Sequence, residues 1–407
     1  MHAHAHAHAH AAAAWAGLAL AAALYAAPSS PTRAADATAS SLSEPAQLGQ
    51  RIFFDPSLSA SGRLSCASCH SPSHAYSSPD DGAAPRGGER LDRPPLRTVP
   101  SLRYLDATPR FTRHYYLDHG DQLEDEGPAG GFMLDGRADS LHAQALIPWL
   151  DAAEMGNRNL PDLAQRLQHA PYALQLRQLF GEGLFERPRQ AVAAAALAVE
   201  DFELEDLSFH PYSSRYDAYL AGRAALSDQE LRGLTLYTDS RKGNCAECHP
   251  NSPGAGGRAP DFTDYAYHAL GVPRNAEVAA NADPHFFDLG LCGPRRHDLE
   301  AETAYCGYFK TPTLRNSARR RQYFHNGRFT TLEQVLGFYA ERDSAPERWY
   351  PIQAGRVRKF DDLPRVYRSN VDTSDAPLNR KRGQPPALAA PEIADLAAFL
   401  RTLDDAD

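Results

Sequence analysis

Methionine is nearly absent from this chain. Its 407 residues hold three, Met1, Met133 and Met155, so no metal site in the second half can draw a thioether ligand from downstream of residue 155. Cysteine is sparse too, with six residues, and four of these fall in two copies of one short pattern. There is no excess of basic charge: Lys and Arg number 42 against 51 Asp and Glu, a net charge of −9, which argues against a nucleic-acid binder and its basic patch. No internal apolar run is long enough to span a bilayer. Strand-like alternation is scarce, so the expected class is mainly α, with much irregular structure.

The length allows about two to three domains, each with its own core. The 31 prolines and 28 glycines imply long loops. The start of the chain does not read as fold. Residues 1–10 are a His-Ala run, residues 11–27 form an apolar segment of 17, and a small polar stretch follows. Residues 1–39 are therefore expected to be a secretory signal or leader and the protein to be exported to the periplasm. The n-region carries histidines where Lys or Arg is usual, and the alternative is a short N-terminal anchor.

The repeated pattern is SCASCH, ending in Cys66, Cys69 and His70, and NCAECH, ending in Cys245, Cys248 and His249. Two CxxC pairs suit zinc or a redox dithiol, but neither needs a histidine at that fixed offset. A c-type haem does: the two thiols form thioethers to the porphyrin, and the adjacent histidine ligates the iron. Two covalent haems are expected, with His70 and His249 as the iron ligands on the attached side. Cys292 and Cys306 lack CxxC spacing. In an oxidising compartment they read as a disulfide, and two buried free thiols are the alternative.

Similar lead-ins precede the two motifs, LGQRIFFDPSLSASGRL and LRGLTLYTDSRKG. Each reads as a short amphipathic helix followed by a loop. In the second, Ser227 and Glu230 have capping-box spacing. This weak internal repeat suggests two related cytochrome c-like haem domains, 40–220 and 221–407, with the border near 215–226. Helical periodicity covers 161–181, 187–206, 214–221, 330–341 and 391–404, the last with Pro391 at its start. Residues 71–101 and 250–310 read as loop.

The segment GFMLDGRADSLHAQALIPWLDAAEMG (131–156), together with FKTPTLRN (309–316), YFHNGRFTTLEQVLGFY (323–339) and both CxxCH sites, resembles the bacterial di-haem cytochrome c peroxidase and MauG family. The resemblance covers roughly residues 45–404. It implies that the N-terminal haem reacts with peroxide, in a pocket bearing Gln144, Pro148 and Glu154. Splitting peroxide moves a proton from the near oxygen to the leaving one, which a carboxylate can do. Gln144 would orient peroxide, and Pro148 would crowd the face. The family's tryptophan between the haems falls on Leu134, whose side chain cannot relay charge. Trp149 lies nearby, as a substitute or as a packing residue.

The resemblance further implies that the second haem's other axial ligand ends the TLEQVLGFY segment. That position is Tyr339, as in MauG, where typical peroxidases have methionine. His325 is its rival. The family's displaceable distal histidine falls on Arg86, and the nearby His74 is expected on the other side, so the N-terminal haem would be open. The family's calcium site uses an Asn side chain and backbone carbonyls. Here Thr98 replaces the Asn, and Arg320 and Gln322 replace a Thr and a Pro. Both the lost Asn and the added charge disfavour calcium.

The expected function is a periplasmic di-haem oxidoreductase that reduces hydrogen peroxide at the His70 haem with electrons entering at the His249 haem. The donor would be a small cytochrome c or a cupredoxin. MauG-type oxidation of residues on a partner protein is the alternative: Tyr339 and Arg86 favour it and Leu134 opposes it. A pure electron carrier is a third reading. A homodimer is compatible with the sequence, and no nucleic-acid partner is expected.

Overall fold

The computed structural model describes residues 42–79, 85–118 and 123–406. The leader read at 1–39 lies outside the described residues. Helices dominate, in the order α1 (Glu44–Phe53), α2 (Cys66–Cys69), α3 (Leu141–Leu150), α4 (Leu160–His169), α5 (Ala173–Phe180), α6 (Pro188–Glu205), α7 (Arg215–Leu220), α8 (Asp228–Thr238), α9 (Cys245–Cys248), α10 (Leu332–Glu341) and α11 (Ala390–Arg401). Strand among the described residues is confined to two-stranded antiparallel ribbons. The first pairs β1 (Tyr116–Asp118) with β2 (Leu123–Asp125), and the next pairs β3 (Tyr267–His268) with β4 (Phe309–Lys310) beside the second CxxCH motif.

The two largest hydrophobic clusters lie within one compact unit, Leu42–Asp407. The first gathers residues from Leu48 to Phe209, with α6 packed on α1, α3 and α4. The second gathers residues from Tyr216 to Leu403, with α11 packed on α8 and α10. The internal repeat has a structural counterpart. In the first lead-in, Ser43 caps α1 by accepting from Ala46 N–H, and Leu48, Ile52 and Phe53 are buried. Helix α1 crosses α6 at Gly49, where a Cβ would lie 1.7 Å from the Ala198 carbonyl oxygen. In the second, Ser227 and Glu230 form the capping box, and α8 crosses α11 at Gly233, where a Cβ would lie 2.1 Å from the Asp395 carbonyl oxygen. Each lead-in thus uses a glycine to bring its helix backbone against a partner helix, and each then delivers the chain to a CxxCH turn.

The periodic stretch 161–181 is two helices, α4 and α5, because Pro171 cannot continue the first. Helix α3 was not marked by periodicity. Its residues Leu146, Ile147, Pro148 and Trp149 are apolar all round and include a proline. Residues 250–310 carry only short 3₁₀ turns and β3 and β4. Within the loop, Cys292 and Cys306 are bonded to each other.

Candidate functional site

The two CxxCH motifs fold alike. Each pair of cysteines spans a single helical turn, α2 or α9, and the histidine N–H closes it on the first cysteine's carbonyl: His70 N to Cys66 O, and His249 N to Cys245 O, both 2.8 Å. Each imidazole then fixes its Nδ1 on a backbone carbonyl, His70 on Tyr76 O at 3.0 Å and His249 on Phe262 O at 2.8 Å. A carbonyl only accepts, so Nδ1 carries the proton and Nε2 is left with a lone pair for a metal. Burial lowers both histidines, His70 to about 4, so each stays neutral and able to ligate. Burial also pushes the Cys66 thiol up and the Cys245 thiol up to about 12. A redox dithiol needs the opposite, a depressed thiol.

At the second motif, Cys245, Cys248 and His249 line a cavity of about 840 Å³ together with Tyr339, His325, Leu134, Lys310 and Arg320. Such a volume falls within the range of roughly 300–1,000 Å³ for cofactor sites. Tyr339 reaches the cavity from α10. Its phenol is raised first by burial and then by the charges of Cys248 and Cys245, which places it beside the CxxC turn. His325 lies flat on the Phe309 ring at 3.7 Å, with Nε2 3.4 Å from the Asp362 carboxylate. Arg320 is half-buried with no acidic partner among the described residues, and burial lowers its pKa. Its guanidinium suits the carboxylates that a haem carries. These donors, this volume and this unpaired cation fit a haem.

At the first motif, Cys66 and Ala67 pack against the cluster that holds Ala145, Trp149 and Met155. These are the sequence neighbours of Gln144, Pro148 and Glu154. Ser140 caps α3 by accepting from Ala143 N–H. Pro148 has no N–H to give to the Gln144 carbonyl four residues back, and the helix ends within a turn. Gln144 is buried. The chain then folds tightly, Met155 N–H bonding Pro148 O and Glu154 N–H bonding Asp151 O. Gly88 N–H donates to Glu154 O at 2.8 Å, so the loop carrying Arg86 rests on this turn. Arg86 itself is exposed and bonds Asp92 O. His74 lies in a 3₁₀ turn next to Ser71 and Ser73.

Glu154 is raised from 4.5 to about 7, first by burial, then by Asp151, against the opposing pull of Arg295 and Arg137. Arg295 holds Asp151 at 2.5 Å. The site thus presents a carboxyl that exchanges its proton near neutral pH. Trp149 is fully buried in the first cluster, and its Nε1 has no partner. Leu134 lines the second cavity, and its carbonyl accepts from Lys310 N–H.

Thr98 is buried and gives its hydroxyl to Phe324 O. The side chain at the Asn position of the resembled calcium site is thus already committed to a backbone carbonyl. Several neighbours of the sites carry no sequence signal of their own. Asp151 and Arg295, which set the charge at Glu154, meet across 144 positions. Asp264 and His268 gather beside Cys248. Lys310 lies within FKTPTLRN, where only the motif as a whole drew notice.

The model of the family described as di-haem cytochrome c peroxidase matches residues 43–225. The methylamine utilization protein MauG of Paracoccus denitrificans (strain Pd 1222) is 34% identical over 300 residues, 72% of this chain and 73% of its own. The chain belongs to the di-haem cytochrome c peroxidase and MauG family. Family membership makes it an oxidoreductase and implies two c-type haems. Cytochrome c551 peroxidase of Nitrosomonas europaea is 28% identical over 294 residues, 72% of this chain and 71% of its own. Among solved structures, the di-haem peroxidase BthA of Burkholderia thailandensis E264 is similar with a TM-score of 0.79 and 40% identity, over 89% of this chain and 86% of that one. Both peroxidases and MauG proteins thus stand among its relatives.

Proposed function

We propose that this family member is a periplasmic enzyme that reduces hydrogen peroxide at the His70 site with electrons entering at the His249 site. Glu154 is the observation that carries this reading. A half-buried carboxyl raised to about 7, next in sequence to a residue of the cluster that packs on the first haem motif, is of no use to a pure electron carrier, but it suits a reaction that must take up and return one proton. The bound haem supplies the iron that accepts peroxide oxygen and passes electrons. The chain's own residues do the rest. His70, fixed by Tyr76 O, holds the metal from one side. Gln144 offers its amide to orient peroxide. Glu154 takes the proton from the near oxygen and delivers it to the leaving oxygen. Pro148 narrows the pocket. Arg86, standing where a displaceable histidine would be, is exposed and bonded to the backbone, which supports a first site open in the resting protein.

At the second site His249 and Tyr339 would hold the iron, because both line one cavity with the CxxC thiols. The two hydrophobic clusters support a division into haem domains of 40–220 and 221–407. Export is supported by the bonded Cys292 and Cys306, which suit an oxidising compartment. No helix among the described residues is long and apolar enough to cross a membrane. A small cytochrome c or a cupredoxin fits as donor. MauG-type oxidation of a partner protein is a second reading, favoured by Tyr339. Visible and EPR spectra of the resting protein, with peroxide consumption measured against a reduced cytochrome c, test the proposal. Low-spin signals alone, without peroxide consumption, would overturn it.

A further inference from the structure

The position that would relay charge directly between the haems holds Leu134, yet the chain has another connection, on the histidine sides of both sites. It begins at Tyr76, whose carbonyl fixes His70. The Tyr76 ring stacks on Phe209 at 3.9 Å, and Phe209 O accepts from Tyr104 N–H. Tyr104 is buried and meets Tyr212 with ring centroids 4.9 Å apart. Tyr212 and Tyr265 share one carboxylate: Tyr212 Oη donates to Asp261 Oδ1 at 3.0 Å and Tyr265 Oη to Asp261 Oδ2 at 2.8 Å. The next residue, Phe262, gives its carbonyl to His249. Tyr265 also touches the inter-site segment, its carbonyl accepting from Gly130 N–H.

Each of these three phenols has what oxidation at neutral pH requires, a fixed base for its proton. Tyr104 Oη donates to Asp405 Oδ1 at 2.6 Å, and Asp405 and Asp261 are themselves buried. The Arg315 guanidinium lies 4.8 Å from the Tyr104 ring and 4.7 Å from the Tyr212 ring. A cation over the rings opposes a positively charged ring, so an electron can leave only as the proton leaves too.

We propose that Tyr104, Tyr212 and Tyr265, each hydrogen-bonded to a buried aspartate, form a proton-coupled relay that carries oxidising equivalents of peroxide between the two sites. Hydrogen peroxide takes two electrons and two protons to give two waters. In each relay step one tyrosine gives up one electron toward the oxidised site, its O–H bond breaks, and the proton passes to the aspartate oxygen. A neutral tyrosyl radical and a carboxylic acid result. The next tyrosine, or the external donor, returns the electron, and the aspartate returns the proton. This deepens the peroxide reading and rests on it.

The test uses the holoprotein mixed with one equivalent of hydrogen peroxide without donor, freeze-quenched for EPR while peroxide consumption is followed in parallel. Protein containing ring-deuterated tyrosine should give an organic radical signal narrower than that of unlabelled protein. Tyr212→Phe, which keeps the ring and loses the hydroxyl, should lose most of that signal, with haem content and melting temperature as folding controls. Peroxide consumed with no signal, or with a signal that deuteration does not narrow, overturns the relay and leaves the peroxide reaction standing. A tyrosyl signal undiminished in Tyr212→Phe also overturns it. No peroxide consumption overturns the function and the relay together.

Discussion

Replacing Glu154 with Gln removes a titrating group while keeping nearly the same volume. The move from 4.5 to about 7 corresponds to about 3 kcal/mol against the charged form, at about 1.4 kcal/mol per tenfold change in proton affinity. If the carboxylate is the base that first accepts the peroxide proton, only about 1% of it is active at pH 5 and nearly all at pH 9. Stopped-flow mixing with peroxide across that range should therefore show a rate that rises about 100-fold, with a midpoint near 7. Glu154→Gln should flatten the profile and lower its plateau by about 100- to 10,000-fold. Arg295→Gln should move the midpoint upward, since Arg295 opposes the rise at Glu154 and also neutralises Asp151. Stability gives an independent check. A carboxyl raised in the fold contributes stability that is full below 4.5 and is lost as the pH rises through about 7. Melting temperatures of Glu154→Gln should accordingly vary less between pH 5 and 8 than those of the parent. An unchanged midpoint in Glu154→Gln would refute the reasoning and place the base elsewhere.

Mass spectrometry of the denatured protein should show two haem additions, and Cys245→Ala with Cys248→Ala should retain one; apoprotein with zinc would contradict the assignment. Tyr339→Phe should shift the second haem from low spin toward high spin and raise its potential as an anionic ligand is lost; an unchanged spectrum would move the ligand to His325. Gly49→Ala and Gly233→Ala should each cost about 1–3 kcal/mol in denaturant titration, because the added methyl meets a partner helix backbone; a neutral effect at both would count against the paired helix crossings. Glu203 is buried without a hydrogen-bond partner for Oε2 and is raised by burial, then by Glu200, to about 8. Glu203→Gln should therefore stabilise the protein at pH 9 and do so less at pH 5, a trend that thermal melts at the two pH values would expose if absent.

The CxxCH turns were readable because their chemistry fixes the spacing: two thiols one helical turn apart and a histidine at once after. The amphipathic helices were readable because they bury one face. Helix α3 was not, since it is apolar around most of its girth and holds Pro148, so no polar stripe marks its period. Its place beside the first motif came from resemblance instead. The charge environment of Glu154 was also hidden. Asp151 follows α3 in the chain, but Arg295 comes from the loop closed by Cys292 and Cys306, and no local pattern announces that they meet. The same holds for the tyrosines on Asp261. Their positions, 212 and 265, fall in irregular segments whose path is set by tertiary hydrogen bonds rather than by periodicity.

The two motifs share the build of their histidine side and differ in the acidic group that each has nearby. On the shared side a lead-in helix crosses its partner at a glycine, a one-turn helix carries the thiols, and a backbone carbonyl fixes each imidazole. That side makes both sites fit to hold haem and gives neither a distinct task. At the turn after α3, Glu154 is a carboxyl raised to about 7, so it can both accept and return a proton during a single reaction. Tyr339 is a phenol that burial pushes far from ionising on its own. It stays protonated at any physiological pH unless a metal takes its oxygen and expels the proton. A phenol of that kind is a poor proton carrier, and bound to a metal it would be an anionic ligand suited to electron exchange. This contrast supports the proposed division, with proton chemistry at the His70 site and electron entry at the His249 site.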